Sequence, residues 1–396
     1  MQTLKSYIDY QIDELKSAGT YRHLRVLGGP QTARSIVDGR TVVNLSSNNY
    51  LGLATHPKLV EASIDAARRY GVGSGAVRPI IGTFNIQEEL EKKLAAFKGT
   101  ESALVFTSGF TANQAVIGTV LEEGDLVISD ALNHASIIDG VRLTKASRAI
   151  YKHCDMDDLA RVLAESSGKY KKTLIVTDGV FSMDGDIAPL DKIADIAAEY
   201  GAATMVDDAH GSGVLGNHGR GTVNHFKIPH DKWDITMGTL SKAVGVVGGY
   251  VACSQALREL MEHRARPFLF STAHPPAVTA SISAAIDVMA SAEGSELTNK
   301  LWDNTRFFKT GLKNLGFNTG ISETPITPVI IGDEAKTIKF SQSLFEAGVL
   351  ATGIIFPTVP RGAGRVRTIV TAGHTQYELQ EALDIFARIG RDYAVV

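Results

Sequence analysis

Four short apolar runs in this sequence each end in residues that can do chemistry. Thr204-Met205-Val206 is followed by Asp207-Asp208-Ala209-His210-Gly211, and Asp234-Ile235-Thr236-Met237 by Gly238-Thr239-Leu240-Ser241-Lys242. Leu174-Ile175-Val176 leads to Asp178 and then to Phe181-Ser182-Met183-Asp184-Gly185. Ala103-Leu104-Val105-Phe106 leads to Thr107-Ser108-Gly109-Phe110-Thr111-Ala112-Asn113, where a helix opens. A lysine desolvated among small residues presents a neutral amine near neutral pH, the form that attacks a carbonyl. A glycine turn at a helix start presents backbone N–H groups that suit a phosphate. In open α/β sheets ligands sit beyond the carboxyl ends of the strands, and all four runs end there.

Pyridoxal 5'-phosphate is a ligand for which each residue type has a task. Its aldehyde requires an amine, which Lys242 supplies, and its ring nitrogen stays protonated only opposite a buried carboxylate, for which Asp207 fits. Its phosphate suits the N–H groups of Gly109 and Phe110 with the hydroxyls of Thr239 and Ser241. His134 can stack on the ring face and His210 can hydrogen-bond the ring oxygen. Each residue alone has a plainer reading. A lysine in a Ser/Gly-rich turn is most often solvated, Asp207-Asp208 can cap a helix or bind a metal, and His134 can be an ordinary surface residue. Gly71-Val72-Gly73-Ser74-Gly75-Ala76 loosely fits a dinucleotide fingerprint, but it follows the helical pattern Ala62–Tyr70 instead of a strand. Joint occurrence at successive strand ends favours the cofactor, and no metal site is expected.

The elements that must position these residues alternate between about residues 56 and 254. Runs such as Ser102–Phe106, Leu126–Ser129, Leu174–Thr177, Ala203–Val206 and Tyr250–Ala252 read as buried strands. Between them lie amphipathic stretches, one carrying the stripe Ile193, Ile196, Ala197, Tyr200 after Pro189, another entered at Asp155. This is an α/β pattern with a mostly parallel sheet covered on both faces. From about residue 285, helices at Glu296–Leu315 and Ala335–Ala347 surround short strands at Pro328–Ile331 and Val349–Thr352. The expected division is an N-terminal helix and arm over 1–55, a large cofactor-binding domain over 56–285, and a smaller α+β domain over 286–396.

With 396 residues, the chain exceeds one simple core. A net charge of −3 gives no reason to expect nucleic acid or a membrane as partner. Its two cysteines, Cys154 and Cys253, are far apart and unlike a zinc or disulfide framework. Without an apolar signal core or membrane-length stretch, a cytoplasmic enzyme is expected.

Over nearly its whole length the chain resembles the α-oxoamine synthases, fold-type I pyridoxal-phosphate transferases that condense an amino acid with an acyl-CoA. The segments that carry the resemblance are Leu45–Gly52 (LSSNNYLG), Asn133-His134-Ala135-Ser136, Asp178–Gly185 (DGVFSMDG), Val206–Gly211 (VDDAHG) and Thr239-Leu240-Ser241-Lys242. The resemblance implies that Lys242 holds the cofactor as a Schiff base and serves as acid and base. It implies that Asp207 pairs the pyridinium, that His134 stacks, and that Ser182 and His210 contact the ring oxygen. It also implies that Thr239, Gly109 and Phe110 hold the phosphate. Ser271 and Thr272 match a segment reaching the neighbouring subunit's phosphate, which implies a homodimer with shared active sites. Asn48 and Arg367 match residues that hold the substrate carboxylate, while Thr358 and Arg22 match substrate-side positions.

Within the family, Ala76-Val77-Arg78 with Gly82-Thr83, and Asn133–Leu143, look like the glycine C-acetyltransferases. The turn Ser108–Gln114 looks like the 8-amino-7-oxononanoate synthases. The expectation is glycine with acetyl-CoA. The alternatives are alanine with pimeloyl-CoA, which belongs to biotin synthesis, and a broad-range synthase. Gln87 departs from the family, where many members carry histidine. A plain aminotransferase on the same fold would share the Lys and Asp, and a non-catalytic partner subunit would lack Lys242.

Overall fold

The computed structural model describes residues 3–17, 20–21 and 23–396. It begins with helix α1 (Leu4–Ser17), which buries none of its residues, and a hairpin of β1 (Arg34–Val37) and β2 (Arg40–Asn44). The central sheet is built from β3 (Ser102–Phe106), β4 (Leu126–Asp130), β5 (Ser147–Tyr151), β6 (Thr173–Asp178), β7 (Ala203–Asp207), β8 (Ile235–Thr239) and β9 (Gly249–Cys253). Its order is β3-β9-β8-β7-β6-β4-β5, and β9 alone runs against the others. The mostly parallel sheet expected from the sequence is therefore present.

The inner strands read as continuous apolar runs because helices cover both faces. Leu174 and Val176 of β6 pack with Val116, Ile117 and Ile137 on one face, while Ile175 packs with Leu159, Leu163 and Ile193 on the other. The covering helices include α2 (Pro57–Tyr70), α3 (Asn85–Lys98), α4 (Gly109–Val120), α5 (Ala135–Arg142), α6 (Met156–Ser166) and α7 (Leu190–Tyr200). Their starts are set by side-chain caps: Ser108 accepts from Thr111 N, His134 from Ser136 N and Asp155 from Asp158 N. Gly71 ends α2 at φ 84°, so the glycine-rich segment after it is a helix exit and not a strand-to-helix phosphate loop. Buried Gln87 holds the entry to α3, accepting from Phe84 N and donating to the His274 carbonyl, which gives the departure from the family a structural role.

The C-terminal part contains β10 (Ile326–Gly332), β11 (Val349–Leu350), β12 (Thr352–Ile354) and β13 (Gly364–Ile369), with β10-β13-β12 antiparallel. The N-terminal arm does not stand alone. β2 pairs in parallel with β11, and Val43 and Leu45 enter the core formed by Phe308, Phe340 and Phe386. Arm and C-terminal residues thus share one core. Among the described residues no helix is long and apolar enough to cross a membrane.

Candidate active site

The carboxyl ends of β3, β6, β7 and β8 converge on a cavity of about 270 Å³, lined among others by Gly109, His134, Asp178, Asp207, Ser241 and Lys242. Phe110, Ser182, His210 and Thr239 line it as well. Four runs spread over more than a hundred residues of sequence meet there because β6, β7 and β8 are sheet neighbours, with Asp178 directly beside Asp207 in register, and β3 lies one strand beyond β8 across β9.

Lys242 leaves the end of β8 in a tight turn. Burial pushes its amine down to about 8, against the pull of Asp207 and Asp178, with Arg367 adding to the downward shift. No carboxylate lies within salt-bridge distance of it among the described residues. Asp207 is buried at the end of β7, where Oδ1 accepts from Ala209 N at 3.0 Å and Oδ2 from Asn113 Nδ2 at 2.8 Å. His210 is buried against Tyr50, whose hydroxyl lies 2.8 Å from Nδ1. Burial, then Lys242, Arg367 and His134, hold its imidazole well below the usual range. Burial also lowers His134, with Asp207 opposing and Lys242 reinforcing the shift.

The start of α4 is built as an anion cradle. Ser108 caps it, which leaves the N–H groups of Gly109 and Phe110 free of intrahelical partners. A side chain at Gly109 would come to 3.0 Å from Thr239 Cβ, so glycine gives the helix end room to approach the Thr239–Ser241 turn without displacing it. The two hydroxyls of that turn are 2.8 Å apart. With a depressed lysine, a buried carboxylate and this cradle in one cavity, the residues fit pyridoxal 5'-phosphate.

On the substrate side, Arg367 of β13 donates to Asn48 Oδ1 and to the Ser182 carbonyl, each at 3.1 Å. Burial lowers its pKa, and no carboxylate pairs it among the described residues. Its neighbour Arg365 instead pairs with Asp184. A buried guanidinium held by neutral acceptors keeps the charge and N–H geometry that can bind a carboxylate. Thr358 lies on the exposed loop after β12, outside the cavity lining. Ser271 and Thr272 line a separate small pocket with Arg78, Gln87 and His274, joined to Val77 by a β-bridge. Within one chain they do not reach Lys242. Arg22 lies outside the described residues.

Three residues were missed as site candidates. Asn113 bonds Asp207, Ser136 bonds His134, and Asp178 faces the cavity with Oδ1 unpartnered. Burial, then Asp207 beside it, push the Asp178 carboxyl well above the usual range. Asn113 and Ser136 stood within quoted segments; the Ser136–His134 bond is local to the start of α5, while only the fold brings Asn113 to Asp207.

The chain matches the aminotransferase class I and II family over residues 40–386. It is 59% identical over 393 residues to the 8-amino-7-oxononanoate synthase of Symbiobacterium thermophilum, which covers 99% of this chain and 100% of that one. The same-named protein of Thermoanaerobacter pseudethanolicus is 58% identical over 390 residues, covering 98% of both. A solved structure of SPT with a pyridoxal-phosphate internal aldimine superposes with a TM-score of 0.94 at 31% identity, covering 100% of both chains.

Proposed function

The chain belongs to the class I and II aminotransferase family, in its α-oxoamine synthase branch, and we propose that it condenses L-alanine with a pimeloyl thioester to form 8-amino-7-oxononanoate. Pyridoxal 5'-phosphate is its cofactor. The observation that carries the substrate choice is the end-to-end similarity to synthases of that name. The comparisons back this alternative better than the glycine and acetyl-CoA pair favoured by sequence segments. One of those segments, Ala76–Thr83, has a packing role in the fold. Arg78 pairs with buried Glu91, and a side chain at Gly82 would meet the Ala76 carbonyl at 2.3 Å, so that stretch serves packing. Ser108, Gly109 and Phe110, the synthase-like turn, line the cavity.

Lys242, Asp207, His134, His210, Ser182, Thr239, Ser241, Gly109 and Phe110 would hold the cofactor. When bound, it supplies the electron sink for charge left by removal of the amino acid's α-proton. Asp207 would face the ring nitrogen and keep it protonated. Lys242 Nζ, half neutral near pH 8, takes the α-proton. Arg367 and Asn48 fix the amino acid's carboxylate, and Arg22 and Thr358 belong to the substrate side. The deprotonated alanine Cα would bond to the thioester carbonyl carbon as the C–S bond breaks and coenzyme A leaves as the thiol, and loss of the alanine carboxyl group as carbon dioxide would complete the product. Ser271 and Thr272 are proposed to complete the phosphate site of a second copy in a homodimer, working in the cytoplasm.

The deciding measurement is the ratio of specificity constants for alanine/pimeloyl-CoA and glycine/acetyl-CoA in one preparation. The alanine pair should win, with carbon dioxide released in step with free thiol. A clear win for glycine with acetyl-CoA would overturn the assignment. One methyl group changes binding by only about 1–3 kcal/mol, so glycine should be a graded competitor.

A further inference from the structure

Asn113, Ser136, His134 and Asp207 form one continuous chain of hydrogen bonds behind the cavity. Asn113 Nδ2 donates to Asp207 Oδ2 and to Ser136 Oγ, each at 2.8 Å. Ser136 Oγ lies 2.7 Å from His134 Nδ1, and the Ser136 backbone N–H donates to the same nitrogen at 3.3 Å. Both Asn113 and Ser136 are buried.

The donor inventory of these groups leaves one arrangement. A backbone N–H can only donate, so it favours His134 Nδ1 as an acceptor, but at 3.3 Å it is long, and the 2.7 Å contact with Ser136 Oγ decides the tautomer. The amide of Asn113 cannot be reversed, because its carbonyl oxygen would then face the Asp207 carboxylate. Asn113 Oδ1 accordingly has no partner, the residual cost of this orientation. With its oxygen already accepting from Asn113, Ser136 has its hydroxyl proton free to point at Nδ1. The remaining ring proton of a neutral imidazole must then sit on Nε2.

We propose that Asn113 and Ser136 are positioning residues that lock His134 as the Nε2–H tautomer, tying the orientation of its ring to Asp207, so that His134 offers the cavity a hydrogen-bond donor and not a base. The same Asn113 amide restrains the Asp207 carboxylate, so both cofactor-facing groups are set by one side chain. This deepens the proposed function and rests on it for its catalytic meaning: a donor suits the thioester carbonyl oxygen as charge builds there. The tautomer itself follows from the hydrogen bonds alone.

Long-range nitrogen–proton NMR on holoenzyme carrying isotope-labelled histidine reads the tautomer directly, with the His134 signal identified by its loss in His134→Gln. The native protein should show the Nε2–H pattern. Ser136→Ala should convert it to a mixture of both tautomers and lower kcat roughly tenfold with little change in KM for the amino acid. Ser136→Thr, which keeps the hydroxyl, should restore the single tautomer. Asn113→Ala, which frees the hydroxyl to rotate, should also give a mixture. An Nδ1–H pattern in the native protein, or an unchanged pattern in Ser136→Ala, overturns the proposal. If the tautomers respond as expected but alanine and pimeloyl-CoA are not condensed, the substrate reading fails and the relay stands.

Discussion

Two lysines, each near one of two adjacent aspartates, meet opposite fates in this protein. Lys98 lies 2.7 Å from Asp208 Oδ2 and donates also to Ser212 Oγ at 3.1 Å and to the Arg220 carbonyl. Asp208 Oδ1 is filled by the Thr222 N–H and hydroxyl. Burial works against the Lys98 charge, but Asp208 and Tyr250 together outweigh it and the pKa rises. Asp207, one residue earlier, projects to the other side of the strand end, toward Lys242, with no salt bridge formed among the described residues. There burial wins, and the amine falls to about 8. Arg365 and Arg367 repeat the contrast two residues apart on β13, one paired with Asp184 and one unpaired. In both pairs the cation matched inside the chain is tied into the fold, and the unmatched one is the one proposed to meet a ligand.

The strongest test of this contrast exchanges activity against stability. Asp207→Ala should keep the fold while turnover drops by several orders of magnitude, because an unprotonated ring is a poor electron sink. Lys98→Met should do the reverse, losing roughly 3–5 kcal/mol of stability by leaving Asp208 buried and uncompensated. Activity assays and denaturant unfolding on both variants decide it. If Lys98→Met is as stable as the parent, the buried pair does not hold the fold.

A smaller effect separates the arginines. Arg367→Ala should raise KM for alanine roughly ten- to a hundredfold, from the loss of about 1.5–3 kcal/mol in hydrogen bonds to a charged group. Arg365→Ala should leave KM nearly unchanged and lower the unfolding midpoint. Equal KM changes would mean that both arginines bind substrate.

The gentlest test is pH. Lys242 has a folded value of about 8 against an ordinary 10.5, so between these pH values the unfolded chain binds more protons. Its contribution to stability is therefore unfavourable below pH about 8 and relieved as pH rises toward 10.5. Lys98 is raised, so its contribution is complete below 10.5 and disappears only above its folded value. Capture of pyridoxal 5'-phosphate by the apoprotein should accelerate through pH about 8, and borohydride should fix it to the Lys242 peptide and not the Lys98 peptide. A midpoint near 10.5 would show that Lys242 is not desolvated.

The sequence determined much of this by itself. Apolar runs with polar ends place Lys242, Asp207, Ser182 and Gly109 at strand termini, because a strand buried on both faces must be apolar along its length and can change character only at its end. What tertiary structure decided was pairing. Lys98 and Lys242, or Arg365 and Arg367, are chemically alike, and only the fold brings a carboxylate to one of each and withholds it from the other. Asn113 gains its meaning in the same way, since its bonds to Asp207 and Ser136 join elements far apart in sequence, whereas the Ser136–His134 bond is local to the start of α5. The arm over residues 1–55 reads as a separate piece until β2 finds β11, more than three hundred residues away. Local spacing specifies periodicity and ends, while partnership across the chain depends on which surfaces the apolar core brings together.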